Sequence, residues 1–298
     1  MSPERVVNDQ HWVMHYFSGT GNTFRVASWI AEAARARGAT AELRPVTAGQ
    51  AAETASAPVP DILGILTPTH GFTAPWAVLK HVTRLPEVKG RDAFVMATRA
   101  GWYVGPARLP GFEGTATWLL AAVLAARGAK VVGVGAIDMP SNWTALHWGL
   151  TDAHVATISG RGQERAEKFA DAFLGGRTMI TGWLSLAGGL LLAPASLGYM
   201  LIARPLLGKL LFADERCTSC GACAKHCPLD AIEMRGDAPG RPYWTFRCES
   251  CMRCMNVCPE DAIQASWAAA AAETYLLLAA VGLLAPVAAG AGLGSVAT

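Results

Sequence analysis

All eight cysteines of this 298-residue chain fall into two copies of one pattern, Cys217-x2-Cys220-x2-Cys223-x3-Cys227-Pro228 and Cys248-x2-Cys251-x2-Cys254-x3-Cys258-Pro259. The copies are offset by 31 residues, and the offset continues into Ala231-Ile232 against Ala262-Ile263, so the segment is an internal repeat. Each copy carries a tight ligand loop, a proline and a short return segment. Three thiolates this close in sequence wrap one cubane iron–sulfur cluster, while the cysteine after the loop points back across the pseudo-twofold. Zinc sites and disulfides are the rival readings. Zinc ribbons separate their CxxC knuckles by longer spacers, and disulfide frameworks belong to short secreted chains with a signal peptide.

The two runs resemble those of bacterial two-cluster ferredoxins, in which the fourth cysteine of each run ligates the other cluster. One [4Fe-4S] cluster is therefore expected on Cys217, Cys220, Cys223 and Cys258, and a second on Cys248, Cys251, Cys254 and Cys227. Gly221, Ala222 and Ser219 are small enough to let backbone amides approach cluster sulfurs, which raises the reduction potential.

Charged residues make up 16% of the chain against roughly 25% in ordinary soluble proteins, and the mean hydropathy is +0.26. Such a balance brings a membrane into consideration. A net charge of +2 gives no argument for nucleic acid. Met1 to Gln10 is polar and lacks the apolar core of a signal peptide. With free thiols and labile clusters, the expected location is a reducing cytoplasm, on the cytoplasmic face of the inner membrane if the apolar segments attach there.

A second cofactor site is legible near the N-terminus. His11 to Phe17 reads as a buried strand, followed at once by Ser18-Gly19-Thr20-Gly21-Asn22-Thr23 and an amphipathic helix over Phe24 to Arg37. A strand feeding a turn rich in glycine and hydroxyls into a helix N-terminus is a phosphate cradle. The turn lacks the Walker lysine and the G-x-G-x-x-G spacing, which argues against a nucleoside triphosphate or a dinucleotide. Further strands are expected at Ala41 to Leu43, Ile62 to Thr67, Ala93 to Thr98 and Lys130 to Ile137, and helices at Pro75 to Thr83, Thr115 to Arg127 and Arg161 to Leu174. The alternation implies a doubly wound parallel α/β sheet.

Tyr16 to Thr23 resembles the FMN phosphate loop of flavodoxins. That resemblance implies a five-stranded sheet in the order 2-1-3-4-5, with FMN beyond the carboxyl ends of the strands. It also implies that two loops hold the isoalloxazine ring, Thr67-Pro68-Thr69-His70-Gly71-Phe72 and Thr98-Arg99-Ala100-Gly101-Trp102-Tyr103. Phe72, Trp102 or Tyr103 would stack on the ring, and backbone groups of Thr69, His70, Gly71, Thr98, Ala100 and Gly101 would bond its edge. The bland alternative is that these residues only cap a sheet edge. Arg99 faces the phosphate, the ring or solvent, and His70 is the first choice for any proton the flavin needs.

As a whole the chain resembles flavodoxin and ferredoxin fusion proteins, a likeness that includes Met139-Pro140-Ser141-Asn142. The expected organisation is an FMN-binding domain over 1–176, an apolar helical connector over 177–211, a small α+β two-cluster domain over 212–266 and an apolar tail over 267–298. Positions 178–203 carry no charge over 26 residues. Two short helices meeting at a bend are expected there, buried between the domains or dipping into one leaflet. Thr274 to Leu293 is long enough for one bilayer anchor or a membrane-surface helix.

The leading functional expectation is an iron–sulfur flavoprotein relaying electrons between the clusters and FMN, with a redox partner protein or membrane enzyme at one end. An electron-delivery subunit with no substrate of its own and a redox sensor are the alternatives. Hydride uptake from NAD(P)H lacks a dinucleotide fingerprint here.

Overall fold

A computed structural model describes residues 10–49, 60–86, 88–104, 107–141 and 150–272. Asn142 and the expected tail helix over Thr274 to Leu293 lie outside the described residues.

The first strand, β1 (His11–Tyr16), is buried at four of its six positions. A strand apolar on both faces needs cover on both sides, which the helices supply. Parallel strands β2 (Thr40–Pro45), β3 (Ile62–Pro68), β4 (Asp92–Val104) and β6 (Lys130–Pro140) join it in the order β2-β1-β3-β4-β6. This is the 2-1-3-4-5 order of flavodoxin-like doubly wound sheets. Alternate side chains serve opposite faces. Trp12, Met14, Phe94 and Met96 pack with α1 (Asn22–Ala36) and α4 (Asp152–Leu174), whereas Ile65, Val95 and Ala97 pack with α2 (Trp76–Arg84) and α3 (Ala116–Ala126).

The sheet has seven strands rather than the expected five. The end of β4 folds out with β5 (Ala107–Leu109) as an antiparallel ribbon, and the two-residue β7 (Met179–Ile180) adds to β6. The fourth helix starts at Asp152, nine residues before the expected Arg161. Thr151 caps it, its Oγ1 accepting the His154 N–H at 3.3 Å. Gly160 and Gly162 disfavour a helix only weakly, and packing of this helix against β6 overrides that preference.

The connector holds α5 (Trp183–Leu191) and α6 (Ala193–Gly198), then a π-helical turn at Tyr199–Ala203 and α7 (Arg204–Leu207). The axis bends by 71° between α5 and the helical run Ala193–Leu210. Pro194 begins the second arm, where a missing N–H costs nothing. The bend thus falls within the stretch from Gly188 to Ala195, while Gly188 and Gly189 bring α5 against the 112–115 loop. Trp183 lies 4.2 Å from Trp118, and the Trp118 indole donates to the Gly182 carbonyl at 3.2 Å. The other side faces outward, with Leu184 90% and Leu191 82% exposed. Among the described residues no single helix is long and apolar enough to cross a membrane, although this bent pair passes by length and composition.

The last described module pairs β8 (Leu211–Ala213) with β11 (Ile263–Ala265), and β9 (Ile232–Arg235) with β10 (Arg241–Trp244), both antiparallel. Two single-turn helices, α8 (Ala222–Lys225) and α9 (Arg253–Asn256), follow the cysteine loops. Its small core is Ala231, Ile232, Trp244 and Ile263 packed on cysteines.

Candidate functional site

The repeat creates two small cavities of about 20 Å³ each. Cys217, Cys220, Cys223 and Cys258 line one; Cys227, Cys248, Cys251 and Cys254 line the other. Each cavity thus draws three thiols from one run and one from the other. Among the described residues no three His, Cys, Asp or Glu converge closely enough for a single ion. Four thiols bordering each cavity match the ligand count of one [4Fe-4S] cluster. Burial first, then repulsion from the neighbouring cysteines, pushes the Cys248 thiol to about 11 and those of Cys251 and Cys254 to about 12. Only the charge of a bound metal centre keeps such groups as thiolates.

Backbone N–H groups are aimed at these sulfurs. Those of Ala231 and Ala262 donate to Cys227 and Cys258 at 3.3 and 3.4 Å, and Ser250 donates to Cys248 at 3.3 Å. The small residues of the first loop contribute backbone shape, with φ 56° at Ser219 and 72° at Gly221. The two sites differ in burial: the first has one exposed cysteine, Cys220, and one buried, Cys223, while the second has two buried, Cys248 and Cys254, and none exposed.

A cavity of about 490 Å³ opens at the carboxyl ends of the parallel strands. Ser18, Gly19, Thr20, Asn22 and Thr23 line it from the loop after β1. Gly21 caps α1 at φ 98°, and its N–H donates to Ser18 Oγ at 3.2 Å. The first turn of α1 has no acidic residue and no side-chain cap, which leaves its N-terminal dipole open to an anion. Hydrogen bonds stitch the strand-end loops together. Thr23 and Thr98 share a buried hydroxyl contact at 2.8 Å, Thr69 Oγ1 donates to the Thr98 carbonyl at 3.1 Å, and Asn22 Nδ2 donates to the Pro140 carbonyl at 2.8 Å.

Of the expected ring-loop residues, Thr69, His70, Gly71, Thr98, Ala100 and Trp102 line this cavity. Phe72, Gly101 and Tyr103 are not among its lining. Phe72 sits at φ 61° beside Phe112, Gly101 lies buried beneath Ile158, and Tyr103 stacks on His154 at 4.0 Å. Arg99 reaches the cavity edge, but its guanidinium is held by Glu113 at 2.5 Å and Asp138 at 2.7 Å. Burial pushes His70 down to about 4, so its ring is neutral at pH 7 and offers no imidazolium proton.

The opposite wall was not foreseen as part of this site. Tyr199, Leu207 and Leu210 come from the connector, and Trp267 and Ala270 from the helical segment after β11. Tyr199 packs over Gly71, where a side chain would collide with its ring. The one signal for it was a phenol set in the middle of an otherwise uncharged run.

The cysteine module is fastened to the α/β domain and the connector at several points. The Ala48 N–H donates to the Pro228 carbonyl at 2.9 Å, and Arg253 Nη1 to the Ser18 carbonyl at 3.5 Å. Glu249, 2% exposed, accepts the Ala77 N–H at 3.1 Å near the start of α2 and pairs with Arg204 at 3.4 Å. Burial raises its carboxyl to about 7 against the opposing pull of Arg204.

Residues 216–262 match a protein-family profile described as a 4Fe-4S dicluster domain. No curated protein matches the chain. Among solved structures, the chain is similar to oxidised flavodoxin 1 from Bacillus cereus, at 22% identity over 55% of this chain and 97% of that one, with a TM-score of 0.37. It is similar to two-electron reduced flavodoxin from Megasphaera elsdenii, at 22% identity over 54% and 99%, with a TM-score of 0.35. A third is rubredoxin oxygen:oxidoreductase from Desulfovibrio gigas, at 20% identity over 54% and 37%, with a TM-score of 0.33.

Proposed function

We propose that this flavodoxin-like α/β domain, joined to a 4Fe-4S dicluster domain, is an iron–sulfur flavoprotein that passes electrons between two clusters and an FMN held in the 490 Å³ cavity. The observation that carries this is shared lining: Ser250, Cys251 and Met252 of one cluster loop border the same cavity as Ser18, Thr20 and Thr23 of the phosphate cradle. The bound groups supply one-electron exchange at the clusters and one- or two-electron exchange at the flavin. The chain supplies order and spacing. Exposed Cys220 suits the first site to a redox partner, and Cys251, which borders the large cavity with Ser18 and Thr20, suits the second to the flavin. Ser18, Thr20 and the open end of α1 suit a phosphate; Trp102 and the backbone around His70 and Ala100 suit a flat ring.

Anaerobic purification followed by iron, sulfide and flavin analysis tests the proposal, with about eight irons and one FMN expected per chain. Zinc as the dominant metal, or absence of flavin, sinks it. Thr20→Asp, which sets a negative charge at the helix N-terminus, is expected to lose FMN and retain eight irons.

The connector supports a further part of the same proposal, seating on a lipid surface. Leu184, Leu190, Leu191, Leu197 and Leu201 are exposed on a stretch without charge. Flotation with anionic vesicles is expected for the native chain and is expected to be lost in a Leu184→Asp/Leu191→Asp variant that keeps its cofactors.

A further inference from the structure

The two cysteine loops repeat in backbone as well as in sequence. Left-handed residues recur at the same offset of 31: Ser219 with Ser250, Asp230 with Asp261, and Gly221 with Met252. In the last pair the repeat breaks in chemistry. Gly221 adopts φ 72° without penalty, and a side chain there would meet no atom within 4 Å. Met252 holds φ 60°, where an L residue is strained by its own Cβ. Nothing in the loop geometry demands a side chain, since the sister loop turns without one. An outlier of this kind points to what the side chain does once it is there.

Its position answers that. Met252 borders the cavity of the buried cluster site and also the large cavity. Leu211 and Cys251 border both as well, but Cys251 is bound to its ligand role and Leu211 lies in β8. Gly221 borders only the cavity of the exposed site. An unbranched thioether fills an irregular gap better than any branched side chain.

We propose that Met252 is a positioning residue, a plug whose bulk keeps water out of the gap between the buried cluster and the flavin; the flavin half of the statement rests on the function proposed above. Water in that gap would solvate the more negative, reduced state of the neighbouring cluster and raise its potential, because solvent exposure is one of the levers that set cluster potentials. The exposed cluster would not respond.

The test is a potentiometric titration of the full-length protein followed by electron paramagnetic resonance, alongside thermal unfolding. Met252→Gly is expected to melt no lower than the native chain, because backbone strain is relieved, yet to shift one cluster's potential upward and leave the other in place. Met252→Leu, which keeps the bulk, should match the native chain, and Gly221→Met should leave the buried cluster unmoved. If Met252→Gly loses its clusters, Met252→Ala takes its place. Unchanged potentials in the truncated variant overturn the proposal, as does a Met252→Leu variant that shifts as far as Met252→Gly. A flavin-free native protein would overturn the proposed function, while the cluster potentials would still report on the plug.

Discussion

Gly19 of the loop after β1 and Cys251 of the second cysteine loop are in direct contact: a β-carbon on Gly19 would lie 1.7 Å from the Cys251 carbonyl oxygen. The carbonyl is backbone, so no side chain can swing aside to make room. Gly19→Ala is therefore expected to push the modules apart while leaving both metal and flavin bound. Electron transfer slows as the separation of donor and acceptor grows. Stopped-flow reduction should show flavin bleaching slowed about tenfold or more at unchanged cofactor content.

Cys220 is the exposed one of the four cysteines that line the first small cavity. Cys220→Ser is expected to cost the outer cluster alone, lowering iron from about eight to about four per chain. Flavin binding should persist, and reduction by a one-electron protein donor should slow more than reduction by a small chemical reductant. Iron analysis with both donors checks this.

Glu249 joins the cluster loop to α2 and to Arg204. Glu249→Ala removes an acceptor from the N-terminal region of α2 and leaves the largely buried Arg204 without its carboxylate. Breaking such a pair costs about 3 kcal/mol. Anaerobic thermal unfolding should show a lower Tm, with Glu249→Gln intermediate because it keeps the acceptor for Ala77.

His15 and His81 form a buried pair with Nδ1 and Nε2 2.9 Å apart. Burial first, then mutual repulsion, pushes His15 down to about 3, and burial pushes His81 to about 4. Both are neutral in the folded chain, while the unfolded chain takes up protons below pH 6.5. Their contribution is thus complete above pH 6.5 and declines as pH falls toward 4. Between pH 6.5 and 5 each imidazole removes roughly 2 kcal/mol. Melting profiles against pH should steepen on the acid side, and His81→Leu should flatten them.

Sheet and cysteine pairing were legible because both rest on local signals, the strand and helix periods and the three-residue ligand spacing. The β4–β5 ribbon was not, since Trp102 and Tyr103 continue a strand whose partner, Ala107–Leu109, carries no apolar alternation of its own. Of three aromatics expected at the ring, only Trp102 borders the cavity; Tyr103 found His154, a contact set by where α4 begins. Tyr199 and Trp267 were missed because their place depends on how the modules dock, and docking turns on single close approaches such as Tyr199 over Gly71. Sequence periodicity holds no trace of such approaches.

The walls of the large cavity come from residues as far apart in the chain as Ser18 and Ala270. The final wall follows the second cysteine loop, and a module with so small a core takes its folding energy from its metal. Translation therefore delivers the cradle first and its roof last, and the roof waits on cluster insertion. On the proposed function this makes maturation sequential: an iron-starved cell would accumulate chains whose flavin site stands open and exchanges freely, and iron supply would decide when that site is sealed.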